Sequence, residues 1–460
     1  MQSRRVSRRD FMRQTAGAAG VAAAGRSFLL EPGPQAALAA PGARAAGLAA
    51  PSDTIRFGII GVGMQGSGLL NTSIQLPGVE CAAACDLYDG RLALAQEIAG
   101  PDKSLLTTKR YRELLDNKEI DCLIAAVPDH WHKRIVVDAC EAGKDIYCEK
   151  PMTHQVEEGF QMIAAEKKNN RIVQIGSQRR SSVIFAKARE LVEQGQIGDV
   201  CLVEAEMGRN DPCGAWQYTV PPDLSPATLD WETWLGSAPQ RPFDPLRWTR
   251  WRCYQDYGEG IPGDLFVHLL TGIHYVMGIT APPERASSTG GLFRWIDGRD
   301  VPDCLTTLYH YPKFRASLRV TLNTETPEIT RFLGTRGILE IREEGTVTLS
   351  PQDGLEHDPC IPGWPTKMRH GYAEEWRAKY GLKPGTAQAL ESVSYFPPEN
   401  YDEGREHLWN YFQSVRTRQP SVEDASFGNN AAIACHMANY SYFNQCVAEW
   451  DAAERQIRKA

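Results

Sequence analysis

The sequence predicts an α/β protein: an N-terminal Rossmann-type doubly wound parallel sheet, then a larger α+β domain with a mainly antiparallel sheet. Three observations carry this. Apolar strand runs alternate with helical segments from Ile55 to about Gly176. A glycine-rich turn, GVGMQG at Gly61–Gly66, sits between the first of those strands and a helix. Beyond Gly176 the alternation gives way to a run of short strands between Leu305 and Leu349.

In chain order, residues 1–39 read as an export leader and not as part of the fold. SRRDFMR at Ser7–Arg13 places the pair Arg8-Arg9 in a basic region. A weakly apolar Ala/Gly-rich stretch runs from about Thr15 to Leu30, and Ala37-Leu38-Ala39 offers a small-residue cleavage site. The stretch falls short of the roughly 20 consecutive apolar residues of a spanning helix, and no later segment reaches that length. The twin-arginine route exports folded proteins, so a periplasmic or otherwise extracytoplasmic location is expected, with any cofactor loaded beforehand. Residues 40–53 form a Pro/Gly/Ala linker.

A Rossmann domain is expected over 54–176. Ile55–Ile60 is a β-branched strand, Gly68–Gln75 a helix, Val79–Cys85 a strand and Arg91–Ile98 a helix. Tyr111–Leu115 is a helical turn, Cys122–Val127 a buried strand, Arg134–Ala142 an amphipathic helix stopped by Gly143, and Asp145–Cys148 a strand. The helix Val156–Lys168 and strand Ile172–Ile175 complete it. A substrate and oligomerisation domain then fills 177–460. It opens with helix Ala186–Gln194 and strand Val200–Glu206, followed by a Trp- and Pro-rich stretch from Trp216 to Trp251. Strands follow at Leu305–Tyr311, Arg315–Asn323, Ile329–Leu333, Ile338–Arg342 and Thr346–Leu349. An irregular insertion or lid is expected at about 357–401, and closing helices at Glu406–Arg416 and Asn429–Cys446.

The glycine turn points to a dinucleotide. Gly61 permits the tight turn, Gly63 lets backbone approach a pyrophosphate, and Gly66 lets helix pack on strand. Met64 and Gln65 open the helix whose N–H groups face the phosphates. About 20 residues further, Asp86 ends the second strand. A carboxylate there accepts hydrogen bonds from both ribose hydroxyls and repels a 2′-phosphate, which favours NAD over NADP.

The net charge is −7 over 460 residues, and the leader is basic, so the remainder is more acidic still. That argues against nucleic acid or an anionic membrane as a partner, and makes a neutral or cationic substrate easier to accommodate. The 12 cysteines include no CxxC pair. Cys213, Cys253 and Cys360 lie in loop-like sequence where pairing is open in an oxidising compartment.

The stretch AAVPDHWHKRIVVDACEAGKDIYCEKP, Ala125–Pro151, resembles the Gfo/Idh/MocA group of NAD(P)-dependent oxidoreductases. The likeness lies in Pro128-Asp129-His130, His132, Ala142-Gly143-Lys144 and above all Glu149-Lys150-Pro151. QIGSQRRSS (Gln174–Ser182), LDWETWLG (Leu229–Gly236) and AEWD (Ala448–Asp451) are similar to its members too, so the resemblance covers essentially all of the chain after the leader. It implies a catalytic or substrate-orienting Lys150, a cis peptide before Pro151, His130 and His132 beside the nicotinamide-ribose end of the cofactor, and Pro128, Glu149 and Lys150 among the cofactor-binding residues. It implies His268 as acid/base, within GDLFVHLLTGIH (Gly263–His274), and a homo-oligomer built on the open face of the second sheet. The family's D-x-G-x-H pattern is kept at Asp264 and His268, with Phe266 at the middle glycine.

The residue chemistry agrees. A lysine at the carboxyl end of a sheet strand faces the crevice where such sheets bind ligands, and its ammonium can stabilise alkoxide character. A histidine suits proton removal from a carbinol near neutral pH. Asp264, four residues before His268, shares its helix face and can orient it or bind substrate hydroxyls. His274 falls on another face and reads as structural. His130 and His132 have no third ligand in view, so no metal is expected. Gln178 and Arg179 follow a strand end and are placed on the substrate side; Trp248 and Tyr257 are candidates for stacking on a sugar face.

The leading expectation is therefore an exported oxidoreductase with a tightly held NAD, acting on a sugar, cyclitol or related polyol and recycling its cofactor in place. A second reading is an NAD-dependent glycoside hydrolase working by transient oxidation, elimination, hydration and reduction. A third, a non-catalytic NAD or sugar sensor, has no use for Lys150, Asp264 and His268 together.

Overall fold

The structure, a computed structural model, describes residues 26–29, 54–342 except Asp102 and Ser104, 345–352, 360–380 and 392–460. Arg8-Arg9, the Ala37–Ala39 site and the linker lie outside the described residues. Strand β1 (Arg26–Leu29), inside the expected leader, joins a sheet edge in the unprocessed chain.

The first sheet holds β2 (Ile55–Ile60), β3 (Val79–Cys85), β4 (Leu106–Thr108), β5 (Cys122–Ala125), β6 (Asp145–Glu149) and β7 (Val173–Gly176). All are parallel, in the order β4-β3-β2-β5-β6-β7. Helices cover both faces, so β5 and β6 are buried at every position; β5 is a continuous apolar run, and β6 has Ile146-Tyr147-Cys148 between two buried acids. The short edge strand β4 carries no apolar face and is mostly exposed, which is why the sequence reading passes over it. With it, the strand order reverses between β2 and β5, and a crevice opens at their carboxyl ends.

The second sheet adds β8 (Val200–Gly208), β9 (Arg285–Gly291), β10 (Cys304–His310), β11 (Arg315–Thr321), β12 (Thr326–Gly334), β13 (Gly337–Arg342) and β14 (Thr346–Pro351). It ends with β15 (Val393–Phe396), β16 (Ala448–Asp451) and β17 (Gln456–Lys459). Its order is β1-β15-β14-β13-β12-β8-β11-β10-β9-β16-β17, with β8–β11 and β1–β15 parallel and the other pairs antiparallel. Period-two burial sends Leu305, Thr307 and Tyr309 of β10, and Ala316, Leu318 and Val320 of β11, to one face. The other face is left open, with Leu308 exposed on it. The core beneath the covered face includes Ile273 and Val276 of helix Val267–Val276 and Ala431–Ala438 of helix Ala425–Asn444.

Two expectations are corrected. The insertion at 357–401 is not irregular throughout: its described part contains helix Thr366–Tyr380 and β15. All twelve cysteines are free, with Cys253 buried and Cys213 and Cys360 exposed, so the pairing left open among those three is not made.

Candidate active site

The glycine turn is built as its spacing implies. Gly61 has φ +87°, and a Cβ there would lie 2.4 Å from the Ala126 carbonyl oxygen. A Cβ on Gly66 would lie 2.0 Å from the Gly61 oxygen, so any side chain would push helix Met64–Ser73 off the sheet. Asp86 is buried and accepts from the Val62 N–H (2.8 Å) and the Tyr88 N–H (3.0 Å), which fixes its carboxylate at the turn. Gly63, Met64, Gln65, Glu149 and Lys150 line one cavity of about 410 Å³, together with Tyr218, Trp248, Trp251 and Arg252 from the second domain. A glycine cradle that no side chain could share, backed by a fixed carboxylate, fits a dinucleotide.

The second domain reaches back over this crevice. In the stretch Pro212–Trp251, the Asp230 N–H donates to Leu87 O (3.1 Å), and the Asp89 N–H donates to Thr228 O (3.0 Å). Tyr88 and Leu229 form an antiparallel bridge, and the Tyr88 hydroxyl bonds Asp223. Lys109 Nζ donates to Thr228 O (3.2 Å) and Trp131 Nε1 to Trp234 O (2.8 Å). Gly236, at φ +55°, lets the chain cross against the Trp131 ring, which a Cβ would approach to 2.8 Å. This strap joins the carboxyl ends of β3 and β5 through residues distant in sequence.

Lys150 follows β6, and its peptide with Pro151 is cis. Its ammonium donates to Asp264 Oδ1 (2.9 Å) and Asp264 O (2.8 Å), leaving one of three N–H bonds for a ligand. Asp264 Oδ1 also accepts from Arg252 Nε (3.0 Å), and Oδ2 from Trp216 Nε1 (2.9 Å). Burial alone would raise the Asp264 pKa; Lys150 and Arg252 instead hold it far below the usual carboxylate range. Asp264 thus anchors Lys150, and no hydrogen bond joins it to His268. The backbone explains part of this. Pro262–Phe266 is a π-helical turn leading into helix Val267–Val276, not a continuous α-helix. Phe266, at the family's glycine, is fully buried there.

The His268 ring makes no hydrogen bond among the described residues. Burial, then the cations Lys150 and Arg179, hold its pKa well below the ordinary value, so it is a neutral imidazole. Glu149 accepts from Gln65 Nε2 (2.9 Å) and the Lys150 N–H (3.1 Å), and burial raises its pKa.

The other expected site residues have defined places. His130 lies between the carbonyls of Tyr257 and Trp234, at 3.4 and 3.1 Å. His132 lies between those of Pro151 and Val127, at 2.7 and 3.0 Å, beside the Pro128 turn. Burial depresses both to about 4, so each ring is neutral and donates to only one of its two carbonyls; the 2.7 Å approach of His132 Nδ1 to Pro151 O ties it to the loop that carries Lys150. Gln178 is half-exposed at φ 58°, a strained conformation for a residue with a side chain. Arg179 is bound on both sides, to Glu328 (2.5 Å) and Glu403 (2.7 Å), so its guanidinium is not open to a substrate. Tyr257 is fully buried, 4.7 Å from Trp234 between ring centroids, and offers no face to a sugar. Trp248 lines the cavity on its glycine-turn side, with the Arg91 guanidinium 4.3 Å above its ring, so its face is covered by a cation. Arg252, Trp216 and Tyr218 escaped the sequence reading. Nothing in their spacing marks them, because only the chain's return through 208–264 brings them to Asp264.

Residues 55–177 match the Gfo/Idh/MocA description "Oxidoreductase family, NAD-binding Rossmann fold", and residues 187–283 the same family's "C-terminal alpha/beta domain". Both segments belong to the Gfo/Idh/MocA oxidoreductase family. The first is an NAD-binding domain. An inositol 2-dehydrogenase of Salmonella typhimurium is 32% identical over 155 residues, 33% of this chain and 45% of that protein. A glycosyl hydrolase family 109 protein of Shewanella pealeana is 31% identical over 176 residues, 36% of this chain and 38% of that protein. The chain thus spans under half the length of the curated relatives it matches. A levoglucosan dehydrogenase in complex with NADH and levoglucosan superposes with TM-score 0.62 at 18% identity, covering 86% of this chain and 99% of that one. An aldose-aldose oxidoreductase from Caulobacter crescentus, complexed with glycerol, gives 0.61 at 17% identity over the same shares. At such identities the superpositions speak for the fold.

Proposed function

We propose that this protein is an NAD-dependent oxidoreductase acting on a CH–OH group of a sugar, cyclitol or related polyol, with the cofactor held tightly and recycled in place. One observation carries the reading: Lys150, anchored by Asp264 with one N–H left over, lines the same cavity as Gly63–Gln65. Bound NAD supplies the hydride acceptor. Lys150 donates to the substrate oxygen, and its charge favours that oxygen as an alkoxide. Neutral His268 accepts the hydroxyl proton at a ring nitrogen. Burial and the neighbouring cations disfavour the resulting imidazolium. His268 therefore returns the proton readily, as a second half-reaction on a carbonyl substrate requires. The names of the inositol, levoglucosan and aldose relatives support a polyhydroxylated substrate. The strap over the crevice supports slow cofactor release. The Arg8-Arg9 leader supports export of the folded, loaded protein, and the open sheet face bearing Leu308 supports association between copies.

The match to a family 109 glycosyl hydrolase favours a second reading, in which the same site oxidises, cleaves and reduces a glycoside. Both are tested on purified protein without added cofactor, by following absorbance near 340 nm with polyols and aryl glycosides and assaying aglycone in the same samples. A rise reversed by a carbonyl substrate, without aglycone, is the expected result. Aglycone without a lasting absorbance change would establish the hydrolase instead, and neither signal would refute both.

A further inference from the structure

The charges around His268 do not match the acidity of the whole chain. Lys150 and Arg252 make ion pairs with a single carboxylate, Asp264, whose two oxygens are filled by them and by Trp216; Glu149 and Asp129 also lie in their field, but burial raises the pKa of both. Arg179 is neutralised by Glu328 and Glu403. A further cation, Arg209, stands at the carboxyl end of β8, where its N–H donates to Thr321 O (2.9 Å). Its stem runs along Gly214, whose missing Cβ would sit 3.0 Å from Arg209 Cβ and Cδ. The turn that follows leads to Trp216, which touches Asp264. Arg209 is half-buried, and its charge is felt at Asp264, His268 and Tyr218, all groups of the site. Yet its guanidinium forms no hydrogen bond or ion pair among the described residues. The carboxylate next in sequence forms no ion pair with it: Asp211 Oδ1 accepts from the Gly214 N–H (2.8 Å).

A guanidinium with no protein acceptor keeps its donors for a ligand, and its planar fork matches a carboxylate. We propose that Arg209 receives the carboxylate of a sugar acid, an aldonate or uronate, whose carbinol is presented to Lys150 and His268. This rests on the oxidoreductase reading and narrows it. It also reverses the expectation of a neutral or cationic substrate drawn from net charge: that charge lies over the whole surface, while binding senses the field within the cleft, inside a Debye length of about 8 Å.

The test separates the two claims. The NAD-loaded protein is titrated calorimetrically with galacturonate, glucuronate and gluconate, and with galactose, glucose and glucitol, for wild type, Arg209→Gln and Arg209→Lys. Absorbance near 340 nm is recorded on the same samples. The expected result is at least one acid bound about tenfold or more tightly than its neutral counterpart. That preference is lost in Arg209→Gln and partly restored in Arg209→Lys, with bound NAD unchanged. No preference for any acid, a preference that survives Arg209→Gln, or loss of NAD in that variant overturns the proposal. Preferential binding of an acid without any 340 nm change with any compound would leave the Arg209 site standing and refute the oxidoreductase reading alone.

Discussion

Two of the three N–H bonds of Lys150 go to one residue, Asp264, and this sets what each can do. Lys150→Met should leave bound NAD in place while lowering the single-turnover 340 nm signal by about 10²–10³-fold, the range seen when one transition-state donor is removed. Asp264→Asn keeps the shape but leaves two cations facing a neutral amide; substrate KM and kcat should both worsen, with NAD retention unchanged. Glu423 holds the β7 N–H of Ile175 with its carbonyl, and its side chain accepts from the Ser177 hydroxyl. Burial raises its pKa from 4.5 to about 8. The folded state holds that proton where the unfolded chain has released it, so the stability Glu423 contributes is present below about 4.5 and is lost as pH rises through about 8. Glu423→Gln should therefore gain in urea midpoint over wild type as pH goes from 5 to 8. A difference that stays flat or shrinks would mean that Glu423 is ionised in the fold. Lys150 is singled out in the sequence by its place after a strand and by the Glu149-Lys150-Pro151 resemblance, and His268 by the resemblance of Asp264-x-Phe266-x-His268 to the family pattern. Arg252 and Trp216 are not, since their approach to Asp264 is made by distant segments.

At the scale of elements, the crevice depends on close backbone approaches and on the strap. Gly66→Ala should abolish NAD binding, measured by cofactor content after gel filtration, because its Cβ meets the Gly61 oxygen at 2.0 Å. Gly236→Val strains a left-handed position and drives a side chain into Trp131, which loosens the strap without touching the glycine turn. Its expected signature is faster NAD loss on dialysis, with a far-UV spectrum like that of wild type. Unchanged NAD loss would mean the strap does not retain the cofactor. The strands of the Rossmann domain are legible from their apolar runs, except β4, which lacks one. The large sheet is read only in part: β9 (RASSTGG), with small and polar residues, carries too weak a pattern to show. The π-turn at Pro262–Phe266 has no sequence signature of its own, so the helical spacing places Asp264 beside His268 when its bonds go to Lys150, Arg252 and Trp216.

Export and cofactor retention would be linked in the whole molecule, because a protein that leaves the cytoplasm folded keeps only what it holds tightly. Replacing Arg8-Arg9 with Lys-Lys should strand the protein and its NAD in the cytoplasmic fraction, as read by cell fractionation; unaltered export would remove the leader from the argument. The sequence by itself determined the two-part α/β architecture and the NAD cradle at Gly61–Gly66 and Asp86, and it singled out Lys150 and His268 as candidates. These are local: strand runs, a turn that only glycine can make, and side chains at strand and helix ends act through near neighbours in the chain. The tertiary structure alone decided that Asp264 anchors Lys150 and not His268, that Arg179 is bound away in ion pairs, that Tyr257 is core, and that Arg209 is left without a partner. Each of these is a matter of which charges and surfaces meet across tens to hundreds of residues, and packing settles that where periodicity and spacing cannot.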